Sequence, residues 1–89
     1  RPGAEMTFEE VLAWCRANGA DVRGVYRGGC FDFYSDDRLP GSLPALGEIF
    51  HWDLKVGDLH HAVSASDLER MVNGKLTIEA FKSTLRGAG

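Results

Sequence analysis

The sequence carries little positive charge. Lysine is scarce, Lys and Arg together number 10 against 13 Asp and Glu, and the net charge is -3. Nucleic acids and anionic membranes reward clustered cations, so neither is the expected partner. The acidic excess is also too small for a mimic of DNA. No run approaches the roughly 18 apolar residues of a membrane-spanning helix, and no basic-then-apolar leader opens the chain. A soluble, cytoplasmic protein with no membrane partner is expected. Only two cysteines occur, without a Cys-x-x-Cys, which argues against a disulfide scaffold and a thiolate zinc site. Cys15 falls on the apolar stripe of a helix and Cys30 on the outward side of a hairpin, so both read as reduced thiols. H-E-x-x-H, G-x-S-x-G, G-x-x-x-x-G-K-[ST] and G-x-G-x-x-G are all missing, and no cofactor or resident metal is implied.

What is present is an ordinary globular composition, 44% hydrophobic and 26% charged over 89 residues. That suffices for one core and is too short for two, so residues 6-87 read as a single domain and residues 1-5 as linker. Abundant Ala, Gly and Arg with little Lys point to a bacterial source. Thr7 and Glu10 form a capping box, and Phe8, Val11, Leu12 and Cys15 recur at helical spacing toward Gly19. From Val22 the period becomes two, and Gly28-Gly29 suits a two-residue hairpin turn. This sets Arg27 opposite Cys30, Tyr26 opposite Phe31, Val25 opposite Asp32 and Gly24 opposite Phe33. Val22, Tyr26, Phe31 and Phe33 then share the face expected to pack under helices, with Arg23, Arg27 and Asp32 outside.

A loop follows over Asp36 to Leu46, and a second hairpin turns at Gly57-Asp58. Ser66 and Glu69 read as a second capping box, Thr77 caps a last helix with the stripe Ile78, Phe81 and Leu85, and Gly87 reads as its stop. The expected fold is α+β: a small antiparallel sheet of two β-hairpins, with an N-terminal helix and two short C-terminal helices on one face.

Candidate chemistry is sparse. His51, Asp53 and His60 fall on the outer face of the second hairpin, where Asp53 can orient the His60 imidazole as a general base or the three can contribute to a metal site. His61 faces the core beside Leu54. Tyr26, Phe31, Phe33 and Tyr34 are interleaved with Arg23 and Arg27, a mixture found where bases stack on sheets, but three of those rings are expected under the helices.

The stretch Ser64 to Lys75, ending Asn73-Gly74-Lys75, resembles the turn, recognition helix and exit of the phage-repressor type of helix-turn-helix domain. The resemblance implies a DNA-binding regulator using segment 64-86, with Ser66, Asp67 and Arg70 toward DNA and Lys75 near a phosphate. It requires a helix where Leu59 to Val63 alternate like a strand.

The leading expectation is a non-catalytic protein-binding module of the bacterial or phage accessory, inhibitor or immunity type. Its expected contacts are Trp14, Tyr34, Asp36 and Asp37, with Arg23 and Arg27 as charged anchors, since Trp, Tyr and Arg carry interface energy most often. The partner is an unidentified protein, and homodimerisation through the sheet is open to the fold.

Overall fold

The computed structural model describes residues 6–74 and 77–88, so Arg1 to Glu5 and Lys75 lie outside the described residues. Helix α1 spans Phe8–Ala17. Its start is fixed by the expected capping box: Glu10 N–H donates to Thr7 Oγ1 at 3.2 Å, and Thr7 N–H donates to Glu10 Oε1 at 3.1 Å. Phe8, Val11, Leu12 and Cys15 are all buried, and Met6 packs beside them.

Strands β1 (Ala20–Arg27) and β2 (Cys30–Phe33) form the first hairpin in the expected register. Gly28 and Gly29 both have positive φ, 53° and 85°, which is the pair of backbone conformations the tight turn needs. β3 (His51–Val56) and β4 (Leu59–Ser64) form the second hairpin around Gly57-Asp58. The hairpins join through β1 and β3, giving one antiparallel sheet in the order β2-β1-β3-β4. Helices α2 (Ala65–Val72) and α3 (Ile78–Ala88) complete the chain. The fold is therefore the expected α+β architecture.

Two helix boundaries differ from expectation. The N-cap of α2 is Ser64, whose hydroxyl accepts from Asp67 N–H at 3.2 Å, and Ser66 lies inside the first turn. Ser64 ends β4 in extended conformation, which is the geometry a cap requires and Ser66 lacks. Helix α3 passes through Gly87 to Ala88 rather than stopping there. Thr77 does cap it, accepting from Ala80 N–H at 3.0 Å. Ile78 is buried and Phe81 packs at the core margin, while the Leu85 side chain lies outside the described ones.

All three helices contribute to one core. Val22 and Val25 of β1, Trp52 and Leu54 of β3 and Val63 of β4 pack beneath Phe8 and Leu12 of α1, Leu68 and Met71 of α2 and Ile78 of α3. The Phe8 and Trp52 rings sit 5.0 Å apart.

The largest correction concerns the first hairpin. Val22 lies opposite Leu54, but Gly24 lies opposite Asp53, so Arg23 is an extra residue with no partner on β3. Such a bulge shifts the alternation by one. Ala20 and Val22 point into the core before it, and Val25 does so after it. Tyr26, Phe31 and Phe33 consequently leave the core face: Phe33 is 76% exposed and Tyr26 37%. Asp32, expected outside, faces the helix side opposite Val25.

The segment between β2 and β3 packs onto that end of the helix side, with Leu43 and Leu46 against the core. Arg38 is its anchor. Arg38 Nη1 donates to Asp32 Oδ1 and to the Phe33 carbonyl, each at 3.0 Å, and Nη2 donates to the Ser42 carbonyl at 2.7 Å. Among the described residues no helix is long and apolar enough to cross a membrane.

Burial pushes the Cys15 thiol up from 9.0 to about 12. The folded state thus holds a proton that the unfolded chain releases from about pH 9. The contribution of this thiol to stability is complete below that pH and is lost as pH climbs toward 12, by at most about 1.4 kcal/mol per pH unit. Urea denaturation of wild type and Cys15→Ala at pH 8 and pH 10.5 should show the stability gap between them narrowing at the higher pH.

Candidate functional site

Among the described residues the helices leave one sheet face bare, and the registers define what stands on it. At the hairpin-turn end of β1 and β2, Phe31, Tyr26, His51 and Ser64 form a row across the four strands. The next row is Phe33, Gly24, Asp53 and Ala62. The last is Asp21, Lys55 and His60. The β2–β1 half is aromatic, whereas the β3–β4 half is polar.

The aromatic half is internally packed. Phe33 meets Phe31 edge-on at 4.6 Å, Phe31 meets Tyr26 at 4.8 Å, and Tyr26 meets the His51 ring edge-on at 6.3 Å. Gly24 makes this possible. A Cβ at Gly24 would strike Phe31 Cζ and approach the Asp32 carbonyl oxygen to 2.7 Å, so the Phe31 ring lies over the glycine and fills the space a side chain would take. Gly24 is buried under that ring although it belongs to the bare face.

Around the tip of the first hairpin, a shallow groove of about 640 Å³ is lined by Arg27, Cys30, Phe31, Asp32, Glu48 and Phe50. Phe50 is 61% exposed there. Arg27 donates to Glu48 at 2.8 Å and lies 3.6 Å from Asp32. The polar rim is therefore an alternating ion-pair cluster, Glu48–Arg27–Asp32–Arg38, in which each cation already has an acid.

The residues expected to bind a protein are dispersed. Trp14 is half-buried against the core. Tyr34 stacks on Phe8 at 5.5 Å and its hydroxyl donates to Asp36 at 3.3 Å. Asp36 is ion-paired with Arg16, which raises the already high pKa of that guanidinium. Asp37 and Arg23 are exposed, and Arg23 occupies the bulge. Only Arg27 borders the exposed aromatic surface. Sequence reasoning missed Tyr26, Phe31 and Phe33 as residues of the bare face; the sole signal was Gly24, a glycine inside a strand, which often marks a bulge or a close approach.

His51, Asp53 and His60 do share the bare face as expected. His60 Nδ1 lies 3.4 Å from Asp53 Oδ2, while His51 turns its ring toward Tyr26. The described residues contain no group of three or more His, Cys, Asp or Glu arranged to hold a metal ion. The dyad is open to water on the His60 side, whose side chain is 53% exposed. His61 is half-buried, pairs with Leu54 and meets Phe81 edge-on. Ser66 and Arg70 are exposed on α2, with Arg70 donating to Asp67 at 3.4 Å. The segment before α2 is strand β4, where a helix-turn-helix places its first helix. Cys30 is exposed and unpaired, and Cys15 is buried and unpaired.

Two substitutions test this surface architecture. Gly24→Ala should displace Phe31 and strain the β1–β2 ladder, costing about 1–3 kcal/mol and lowering the melting temperature by several degrees; an unchanged melting temperature would remove the glycine from its assigned role. Arg38→Ala leaves the Asp32 carboxylate without its short ion pair and should cost about 1–3 kcal/mol, with the loss read in urea denaturation. No protein-family model matches the chain, and no curated protein or solved structure is significantly similar to it.

Proposed function

We propose that this chain is a non-catalytic protein-binding domain, of the accessory, inhibitor or immunity type, that docks a protein partner on the aromatic half of its bare sheet face. Tyr26, Phe31 and Phe33 form the contact, with Phe50 and Arg27 at its rim. The observation that supports this is Phe33, a phenylalanine left 76% exposed beside two further aromatic residues on a face that no helix covers. Burying such a side chain is worth roughly 1.5–3 kcal/mol, a gain that folding of this chain leaves unused and a complex would collect.

A protein fits the patch better than a nucleic acid. Phe31 and Phe33 meet edge-on and Tyr26 is tilted by 55° from Phe31, so the rings present no set of parallel faces for bases. Arg27 and Arg38 beside the patch are neutralised by Glu48 and Asp32, and Asp53 stands in the middle of the sheet, so phosphates find no free row of cations. The unpaired thiols suit a reducing, cytoplasmic setting.

Phe33→Asp is a surface change and should leave the melting temperature nearly unchanged. The same variant should weaken binding of a purified partner, recovered from source cells with the wild-type domain, by about tenfold or more. A partner bound equally well by Phe33→Asp and by Tyr26→Ala would overturn the assignment. Phe33-dependent binding of single-stranded oligonucleotides at low salt would replace it with base stacking.

A further inference from the structure

The two edges of the sheet are treated differently. β2 is only four residues long. The hairpin register turns the backbone groups of Phe31 and Phe33 outward, and Arg38 occupies the Phe33 carbonyl at 3.0 Å. That edge is blunted in the way edges usually are, by brevity and a charged side chain. β4 has six residues, no proline, no lysine and no bulge against β3. Ala65 N–H donates to the Phe50 carbonyl at 2.9 Å, so the odd-numbered residues of this segment face β3. The backbone groups of His60 and Ala62, and the N–H of Ser64, therefore point away from the sheet. Among the described residues, none of them meets a backbone partner outside the strands and helices.

We propose that β4 pairs with β4 of a second copy of this chain, antiparallel about a two-fold axis at Ala62, to form a continuous eight-stranded sheet. The sequence of the strand is self-complementary in that register. Ala62 faces Ala62 of the other copy, the smallest possible side-chain contact on the axis. His60 falls opposite Ser64, an imidazole against a hydroxyl, and no two like charges face each other. His61 falls opposite Val63, which keeps the imidazoles apart. Moving the axis to His61 would place two imidazoles in the closely spaced, non-hydrogen-bonded position and leave Ser64 N–H unused. The pairing at Ala62 engages both backbone groups of Ala62, the His60 carbonyl and the Ser64 N–H, and it places the exposed Leu59 side chain, 65% accessible in one copy, near Ala65 of the other. This assembly is independent of the aromatic surface, which lies at the opposite edge.

Sedimentation equilibrium of the full chain over about 1 μM to 500 μM should show a concentration-dependent dimer, about twice the 9.8 kDa of one chain. Amide exchange should slow with concentration at Ala62 and Ser64. Ala62→Lys sets like charges on the axis, and Ala62→Pro removes an outward donor without touching the ladder to β3. Ala62→Lys should remain monomeric, with a melting temperature at low concentration close to wild type. If Ala62→Pro loses its fold, the lysine variant and the exchange pattern still decide. A monomer at every concentration, a dimer that persists in Ala62→Lys, or protection confined to β2 would each overturn the proposal.

Discussion

A four-stranded sheet with helices on one side has a single face to keep dry, and each strand must arrive with its apolar residues in phase with that face. In β3 and β4 a strict period of two suffices. Trp52 and Leu54 enter the core from one strand, and Val63 from the other. β1 is eight residues long and carries two apolar sets out of phase, Ala20 and Val22 before Arg23 and Val25 after it. The extra residue at Arg23 brings both sets inward. The same shift ejects Tyr26, and through the Gly28-Gly29 turn it ejects Phe31 and Phe33 of β2. The exposed aromatic surface and the inward placement of Asp32 are thus two sides of one local irregularity.

This explains what the sequence disclosed and what it withheld. Local signals were sufficient wherever the chemistry is local. The Thr7–Glu10 capping box, the glycine pair at 28 and 29 and the Gly57-Asp58 turn each specify a short-range geometry, and they placed the elements and both hairpin registers correctly. The bulge is not local in that sense. It arises from pairing between β1 and β3, whose residues are some thirty positions apart, and Arg23 itself looks like any solvent-facing strand residue. Assuming an unbroken period inverted the first hairpin, so Tyr26, Phe31 and Phe33 were expected under the helices and Asp32 outside. The α2 cap failed for a different reason. Ser64 and Ser66 have equal intrinsic merit as caps, and the end of β4 selects the first. Arg38 was overlooked because nothing in a polar loop distinguishes one arginine from another until its acceptors are known.

The modest acidic balance of the chain also acquires a meaning from placement. Arg16 meets Asp36, Arg27 meets Glu48 and Asp32, Arg38 meets Asp32, Arg70 meets Asp67 and Lys82 meets Glu79. Exposed pairs of this kind contribute little to stability individually. Their effect is to neutralise most of the described cations locally, which leaves few free positive charges on the surface.

The segment between β2 and β3 is held by the polar contacts of Arg38 and by partly buried Tyr34, Leu43 and Leu46, with Pro44 the one buried residue before Ile49 among those whose burial is described. Regions held in that way open locally well below the free energy of global unfolding. Opening here would bare the Phe33 carbonyl beside two phenylalanines, converting a guarded strand into an adhesive one. The guard on the β2 edge is therefore only as durable as the Arg38 contacts that hold this segment in place.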